Sequence, residues 1–217
     1  IDILYPIKVH VDASDRTRLV YVDDDDHMVR LATLDNTWTE NSVLNTTIGE
    51  DFDSVWTYGG DLMFAQVAIA NNSTYLQLVE YNGSNAIVSD IASANLTASF
   101  EMEILADKLV ISVLDGEYLR VYERNMTGGN WTNSFQRWML QDSSNANNTL
   151  VMRDGYILYD SNNFDQGISY NDEGSWVVHS MDVPDSETEP DFLVVTDSSS
   201  TRWHISHTDS EKDSNQL

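Results

Sequence analysis

A short run of strand-favouring residues, a polar turn and a second such run recur five times along this chain, and that recurrence limits its possible folds more than any other feature. Arg18-Leu-Val-Tyr-Val22 passes through the turn Asp23-Asp-Asp-Asp26 into Met28-Val-Arg-Leu-Ala-Thr33, then through Asp35-Asn36 into a run opened by Trp38. Asp61-Leu-Met-Phe-Ala-Gln-Val67 leads through Asn71-Asn-Ser73 into Tyr75-Leu-Gln-Leu-Val-Glu-Tyr81 and the turn Asn82-Gly83. Lys108-Leu-Val-Ile-Ser-Val113 passes Asp115-Gly116 into Tyr118-Leu-Arg-Val-Tyr122, with Gly128-Gly129 and Trp131 beyond. Gly155-Tyr-Ile-Leu-Tyr159 and Gly167-Ile-Ser-Tyr170 are followed by Glu173-Gly174 and Trp176, and Phe192-Leu-Val-Val-Thr196 is followed by Arg202-Trp-His-Ile-Ser206. Short runs rich in β-branched and aromatic residues, bounded by Asp, Asn, Gly and Ser, are the pattern of hairpins. No stretch carries a sustained helical period.

The leading runs begin at Arg18, Asp61, Lys108, Gly155 and Phe192, a spacing of roughly 37 to 47 residues that falls in the range of one propeller blade. One such unit buries only part of its apolar faces, so several must stack, and closing the stack into a ring limits exposed sheet edges. The expected fold is therefore all-β: a small five-bladed β-propeller, one domain over residues 1–208. The fifth unit lacks a clear fourth strand while Ile1-Asp-Ile-Leu-Tyr5 stands spare, which predicts a blade closed by strands from both ends of the chain. The polar segment 209–217 reads as a disordered tail. A β-sandwich is the architectural alternative, because it too shows short alternating strands. A chain of 217 residues with 41% apolar content can bury a core of either kind.

Charge narrows the setting. Asp and Glu number 36 against 11 Lys and Arg, a net charge of −25, and the acids are spread from Asp2 to Asp213. Such a surface repels nucleic acid and anionic lipid, which excludes both as partners. Only Lys8, Lys108 and Lys212 are lysines, and a lysine-poor, uniformly acidic surface suits high salt, where screening shortens the reach of repulsion. Cysteine is absent, so the fold stands without disulfides. Asn45, Asn71, Asn72, Asn82, Asn95, Asn125, Asn130 and Asn147 each open an N-x-S/T sequon, the pattern of N-glycosylation acceptors on an exported protein. Secreted eukaryotic domains usually carry cysteines, so the expectation is a halophilic archaeal surface or a virus of such a host. No apolar run approaches the roughly 20 residues that span a bilayer. The chain opens on Ile1, as a processed product or an excised piece would.

His10-Val-Asp12 through Trp38-Thr39-Glu40 resembles the repeat of prokaryotic surface β-propellers: a buried strand, a strand carrying an aromatic and an acid, a strand ending Ala32-Thr33, then a turn before Trp-Thr. Trp131-Thr132 and Gly174-Ser175-Trp176 echo the turn-then-tryptophan feature. The resemblance implies the propeller fold and an extracellular setting, and it carries no catalytic residues over. Asp172-Glu-Gly174-Ser-Trp176 also resembles the Asp-box hairpin of sialidases, with the tryptophan one position early; that hairpin is a structural turn.

Candidate chemistry is sparse. Asp23 and Asp25 could offer oxygens to Ca²⁺, and Asp160, Asn162 and Asp165 alternate as calcium-loop ligands do, without the glycine and closing glutamate of an EF-hand. The histidines His10, His27, His179, His204 and His207 show no zinc-ligand spacing and read as core or surface residues. Asp12, Asp61, Asp107 and Asp154 stand before inner strands, where a glycosidase would need carboxylates to converge. No nucleophile elbow, P-loop or dinucleotide fingerprint occurs. Trp38, Trp131 and Trp176 follow turns at matching places and read as packing residues between blades, which leaves Trp56, Trp138 and Trp203 as candidates for ligand contact. Together these features point to an extracellular structural or interaction module of a cell surface, filament or virion. Its partner would be a protein or a glycan, with self-association into an oligomer or filament as a further possibility. The alternative is a carbohydrate-active enzyme or lectin using the axial face.

Overall fold

The structure is a computed structural model describing residues 7–138, 150–180, 191–196 and 201–206, apart from 13, 24, 27, 46–47, 58–59, 71, 96–97, 116–117, 154, 162–163 and 173–174. Every regular element among them is a β-strand. In chain order these are β1 (Lys8–Val11), β2 (Thr17–Val22), β3 (Met28–Asp35), β4 (Thr37–Asn45), β5 (Ile48–Trp56), β6 (Leu62–Ala70), β7 (Ser73–Tyr81), β8 (Ala86–Ser93) and β9 (Ser99–Leu105). They continue with β10 (Lys108–Asp115), β11 (Tyr118–Asn125), β12 (Thr132–Trp138), β13 (Leu150–Arg153), β14 (Tyr156–Ser161), β15 (Phe164–Asp172), β16 (Ser175–Ser180), β17 (Asp191–Thr196) and β18 (Thr201–Ser206). Among the described residues no helix is long and apolar enough to cross a membrane.

The strands form four sheets of four, β1–β4, β5–β8, β9–β12 and β13–β16, and a two-stranded sheet of β17 and β18. Within each sheet the strands pair in chain order, and every ladder among the described residues is antiparallel. This is the four-stranded meander of a propeller blade, repeated. The expected blade shared by both chain ends involves Ile1–Tyr5 and residues past Ser206, which lie outside the described residues.

Local chemistry explains the turns. Ala70 pairs with Ser73 across a tight turn in which Asn72 takes φ 60°. Asn tolerates that left-handed conformation, and such turns match the twist of a hairpin. Arg153 pairs with Tyr156 across a tight turn in which Gly155 has φ +77°. A Cβ there would meet Leu105 Cδ1 at 3.3 Å. Gly155→Ala is therefore expected to destabilise the C-terminal half by about 1–2 kcal/mol, read as a lower urea midpoint, from the backbone alone.

The chain divides into two compact units, 1–104 and 105–217. In the first, the sheets β1–β4 and β5–β8 pack face to face. Val20, Val22, Val29 and Leu31 meet Phe52, Leu62, Phe64, Val79 and Tyr81, and the Phe52 and Phe64 rings tilt at 42° with centroids 5.4 Å apart. In the second, Val110, Leu114, Leu119 and Val121 pack with Leu150, Met152 and Ile157, with Phe135 and Trp176 against them. The interior strands are buried on both faces, and β10 is buried at all six of its inner positions. That explains why these strands read as continuous apolar runs rather than alternating ones.

Several buried polar groups in the first unit are tied together. Asp53, 5% exposed, accepts from Lys8 Nζ at 2.9 Å, Ser54 N at 2.8 Å and Met102 N at 2.6 Å. A row of two amides and a carboxylate crosses three strands, with Gln66 Nε2 donating to Gln77 Oε1 and Gln77 Nε2 to Asp90 Oδ1. His10 Nε2 and Ser54 Oγ stand 2.9 Å apart. Ser54 is only 4% exposed, so the pair is a strand-to-strand tie and not an accessible nucleophile. Burial disfavours the charged imidazole and holds His10 below its ordinary 6.5, against the pull of Asp53 and with Lys8 acting in the same sense as burial. Because the unfolded chain then binds the extra proton, the neutral histidine contributes stability above pH 6.5 that is lost as pH falls through the folded value. The expected result is that wild type loses stability relative to His10→Gln between about pH 7.5 and 5.5, measured by urea unfolding at each pH.

Candidate functional site

The described residues with the richest ligand-binding chemistry gather where β11 ends. In the β10–β11 ladder Lys108 pairs with Asn125, Leu109 with Arg124 and Val110 with Glu123. This register puts a lysine, a glutamate and an arginine beside one another. Past Asn125 the chain turns tightly: Met126 N donates to Asp107 O at 2.8 Å and Gly128 N to Asn125 O at 3.0 Å. Gly128 and Gly129 take φ values of 102° and 116°, which side-chain-bearing residues rarely adopt. The turn delivers Asn130 and Trp131 back over the strand end.

The result is a cleft of about 260 Å³ lined by Lys108, Glu123, Arg124, Asn125 and Asn130. Glu123 and Arg124, at 9% and 8% exposure, form its deep parts. Consecutive residues leave a strand on opposite faces, so the cleft wraps the strand end rather than lying on one side of it. Glu123 Oε2 accepts from Lys108 Nζ at 2.8 Å, and Oε1 accepts from Trp176 Nε1 at 3.0 Å. Burial pushes the Glu123 carboxyl upward, yet hydrogen bonds from Lys108, Ser134 and Trp176 outweigh it and hold the group below its ordinary value. The same hydrogen bond raises the Lys108 ammonium above its usual range. The Arg124 guanidinium lies over the Trp131 ring at 5.3 Å, a cation–π geometry, and Trp131 Nε1 is buried with no acceptor among the described residues. A fixed carboxylate, two cations and two asparagines around a pocket just under the usual ~300 Å³ lower limit suit a small, hydroxyl-rich ligand.

The sequence-derived candidates fall elsewhere. Trp138 ends β12 opposite Tyr118, 52% exposed, with Arg120 over the Tyr118 ring at 4.8 Å. That is the far end of β11, about 23 Å of strand from the cleft. Trp56 ends β5 and Trp203 lies in β18, with both side chains outside the described residues. Of the three tryptophans read as packing residues, Trp176 packs against the core and donates to Glu123, Trp131 lies under Arg124, and Trp38 is 51% exposed on β4; none of them lines the cleft.

At the acidic turn Asp23 is buried at 8% exposure and Asp25 is exposed, with Asp25 N bonded to Asp23 Oδ1 at 3.1 Å. Arg30 supplies the local positive charge, reaching Asp23 at 3.6 Å and Asp26 at 2.5 Å. Asp160 and Asp165 lie in β14 and β15 beside a bulge; their side chains and Asn162 lie outside the described residues. Among the described residues no three His, Asp or Glu side chains group as a metal site. Asp12, Asp61 and Asp107 all sit in the turn between the first and second strands of their sheets. Asp12 is fully engaged by Arg16 and Arg18; burial opposes its ionisation, and the bonds from both arginines and Ser14 N overcome that and hold it well below the usual carboxylate range. Asp154 lies outside the described residues. Of the sequon asparagines, Asn72, Asn82, Asn95, Asn125 and Asn130 are exposed; Asn71, Asn147 and the side chain of Asn45 lie outside the described residues.

No protein-family model and no curated protein matches the chain. Among solved structures it is similar to a lectin of Aleuria aurantia in complex with Fucα1-6GlcNAc, at 14% identity and a TM-score of 0.62 over 94% of this chain and 72% of the lectin. It is also similar to a prolyl endopeptidase, at 11% identity and a TM-score of 0.51 over 88% of this chain and 30% of that one. For TolB of Acinetobacter baumannii the values are 11% and 0.47, over 88% and 49%. At these identities the likeness defines the fold alone: the chain is a β-propeller.

Proposed function

We propose that the protein is a glycan-binding propeller of an exported, salt-adapted surface, such as a surface layer, filament or virion of a halophilic archaeon or its virus. One observation carries the reading: Glu123, fixed by Lys108 and Trp176, shares a cleft with Arg124, which is stacked on Trp131. Sugars present alternating hydroxyls and apolar ring faces. A fixed acceptor with neighbouring cationic donors reads the first. The lectin similarity supports this choice of ligand class, and Fucα1-6GlcNAc is a sensible first probe.

A glycan array followed by calorimetry tests the reading, with binding lost in Arg124→Ala. An array showing no binding above background would sink it. The setting has its own test. With 36 acids repelling one another, melting temperature and solubility should rise from dilute buffer to molar salt, where the Debye length falls to about 3 Å. Equal stability in both would refute salt adaptation.

A further inference from the structure

We propose that N-glycans attached to Asn125 and Asn130 cap the cleft and control its occupancy by an outside ligand. The ligand part of this rests on the function proposed above. The turn Met126–Gly129 brings both acceptors to one rim: Asn125 and Asn130 are exposed, both line the cleft, and Glu123 and Arg124 lie buried below them. Each opens a sequon, Asn125-Met-Thr127 and Asn130-Trp-Thr132, and both threonines are exposed. The other exposed acceptors, Asn72, Asn82 and Asn95, belong to the first unit and make no part of this cleft.

The modification is a substitution at an anomeric carbon. Asn Nδ2 forms a bond to C1 of an activated sugar, a phosphate- or pyrophosphate-linked glycosyl donor. The C1–O bond breaks with its electron pair leaving on the phosphate, and the amide proton passes to a base of the transferring enzyme. The first sugar ring would then sit at a cleft of about 260 Å³, a space it can fill by itself. The chain's own glycan and an outside sugar cannot both occupy that volume, so attachment lowers the apparent affinity for the outside ligand.

Protein purified from its own organism is compared with protein made in a bacterium that lacks N-glycosylation. Peptide masses report occupancy of Asn125 and Asn130. Shielding is read at Lys108, whose ammonium lines the cleft, by its acylation rate with an N-hydroxysuccinimide acetate; Lys8 is the reference in the same molecule. Glycosylation is expected to slow Lys108 about fivefold and leave Lys8 unchanged. The pair Thr127→Ala and Thr132→Ala, made in the native organism, should restore the unglycosylated rate, and Asn125→Gln with Asn130→Gln should do the same. Unmodified masses at both asparagines, or full occupancy with an unchanged Lys108 rate, would overturn the proposal. If the unglycosylated protein binds no glycan, the functional reading fails, while the Lys108 rate still decides whether the cleft is capped.

Discussion

Asp53→Ala is expected to lower the stability of the N-terminal unit by about 3–5 kcal/mol, the largest single-site loss anticipated outside the apolar core. The carboxylate is 5% exposed and accepts from an ammonium and two backbone N–H groups. Alanine removes both acceptor oxygens and leaves all three donors without this partner. Met102 N, inside the packed strand β9, then loses its partner without gaining access to water, and an unmet buried donor costs about 1–3 kcal/mol by itself. Lys8 loses its 2.9 Å carboxylate while remaining mostly covered, with 27% of its side chain exposed. Asp53→Asn keeps the shape and one acceptor oxygen, so its loss should be smaller, about 1–2 kcal/mol. Urea unfolding of the two variants separates the terms, and equal midpoints for Asp53→Ala and wild type would show that the three contacts contribute nothing net.

Glu123→Gln should reduce glycan affinity by about 100-fold, because sites built to hydrogen-bond a hydroxyl discriminate steeply when that partner changes. The amide places its N–H₂ against either the Lys108 ammonium or the Trp176 indole N–H, both donors, so one contact becomes repulsive. Calorimetry with the best array ligand measures the loss, and near-ultraviolet circular dichroism of Trp131 and Trp176 shows whether the fold persists. The pH behaviour carries a sign. Glu123 is held below its ordinary carboxyl value of 4.5, so its stabilising contacts are complete above that pH and disappear as pH falls through the lower folded value. Wild-type binding should therefore be flat from about pH 7 to about pH 5. A drop centred near 6 would implicate a histidine instead.

The fold was more legible than the site, for a physical reason. Interior strands such as β6, β7 and β10 are buried on both faces, and their apolar runs stand out between turn residues. The first strand of each four-stranded sheet did not stand out. β5 carries Asp51 and Asp53, β9 carries Glu101 and Glu103, and β13 is only Leu150–Arg153. Acids inside a strand hide its pattern unless their partners are known, and the partners of Asp53 lie far away in sequence, at Lys8 and Met102. The cleft was hidden in the same way. Glu123 and Arg124 look like ordinary polar residues closing a strand. Only the register that sets Lys108 beside Asn125, together with the approach of Trp176 from β16, gives them a shared purpose. The turn-then-tryptophan pattern was the available signal, and packing was the simpler explanation of it.

Each strand's hydrogen-bonding partners within a sheet are its immediate neighbours along the chain. Loop closure for such pairing involves only a few residues, so its entropic barrier is small even in an all-β protein. A sheet's ladders can form as soon as its four strands are available, its apolar face is covered once the next sheet packs on it, and no oxidant is required because there are no thiols to join. The chain is thus suited to pairing its strands locally, one meander after another, and a truncation after β8 should leave β1–β4 and β5–β8 able to pack on each other.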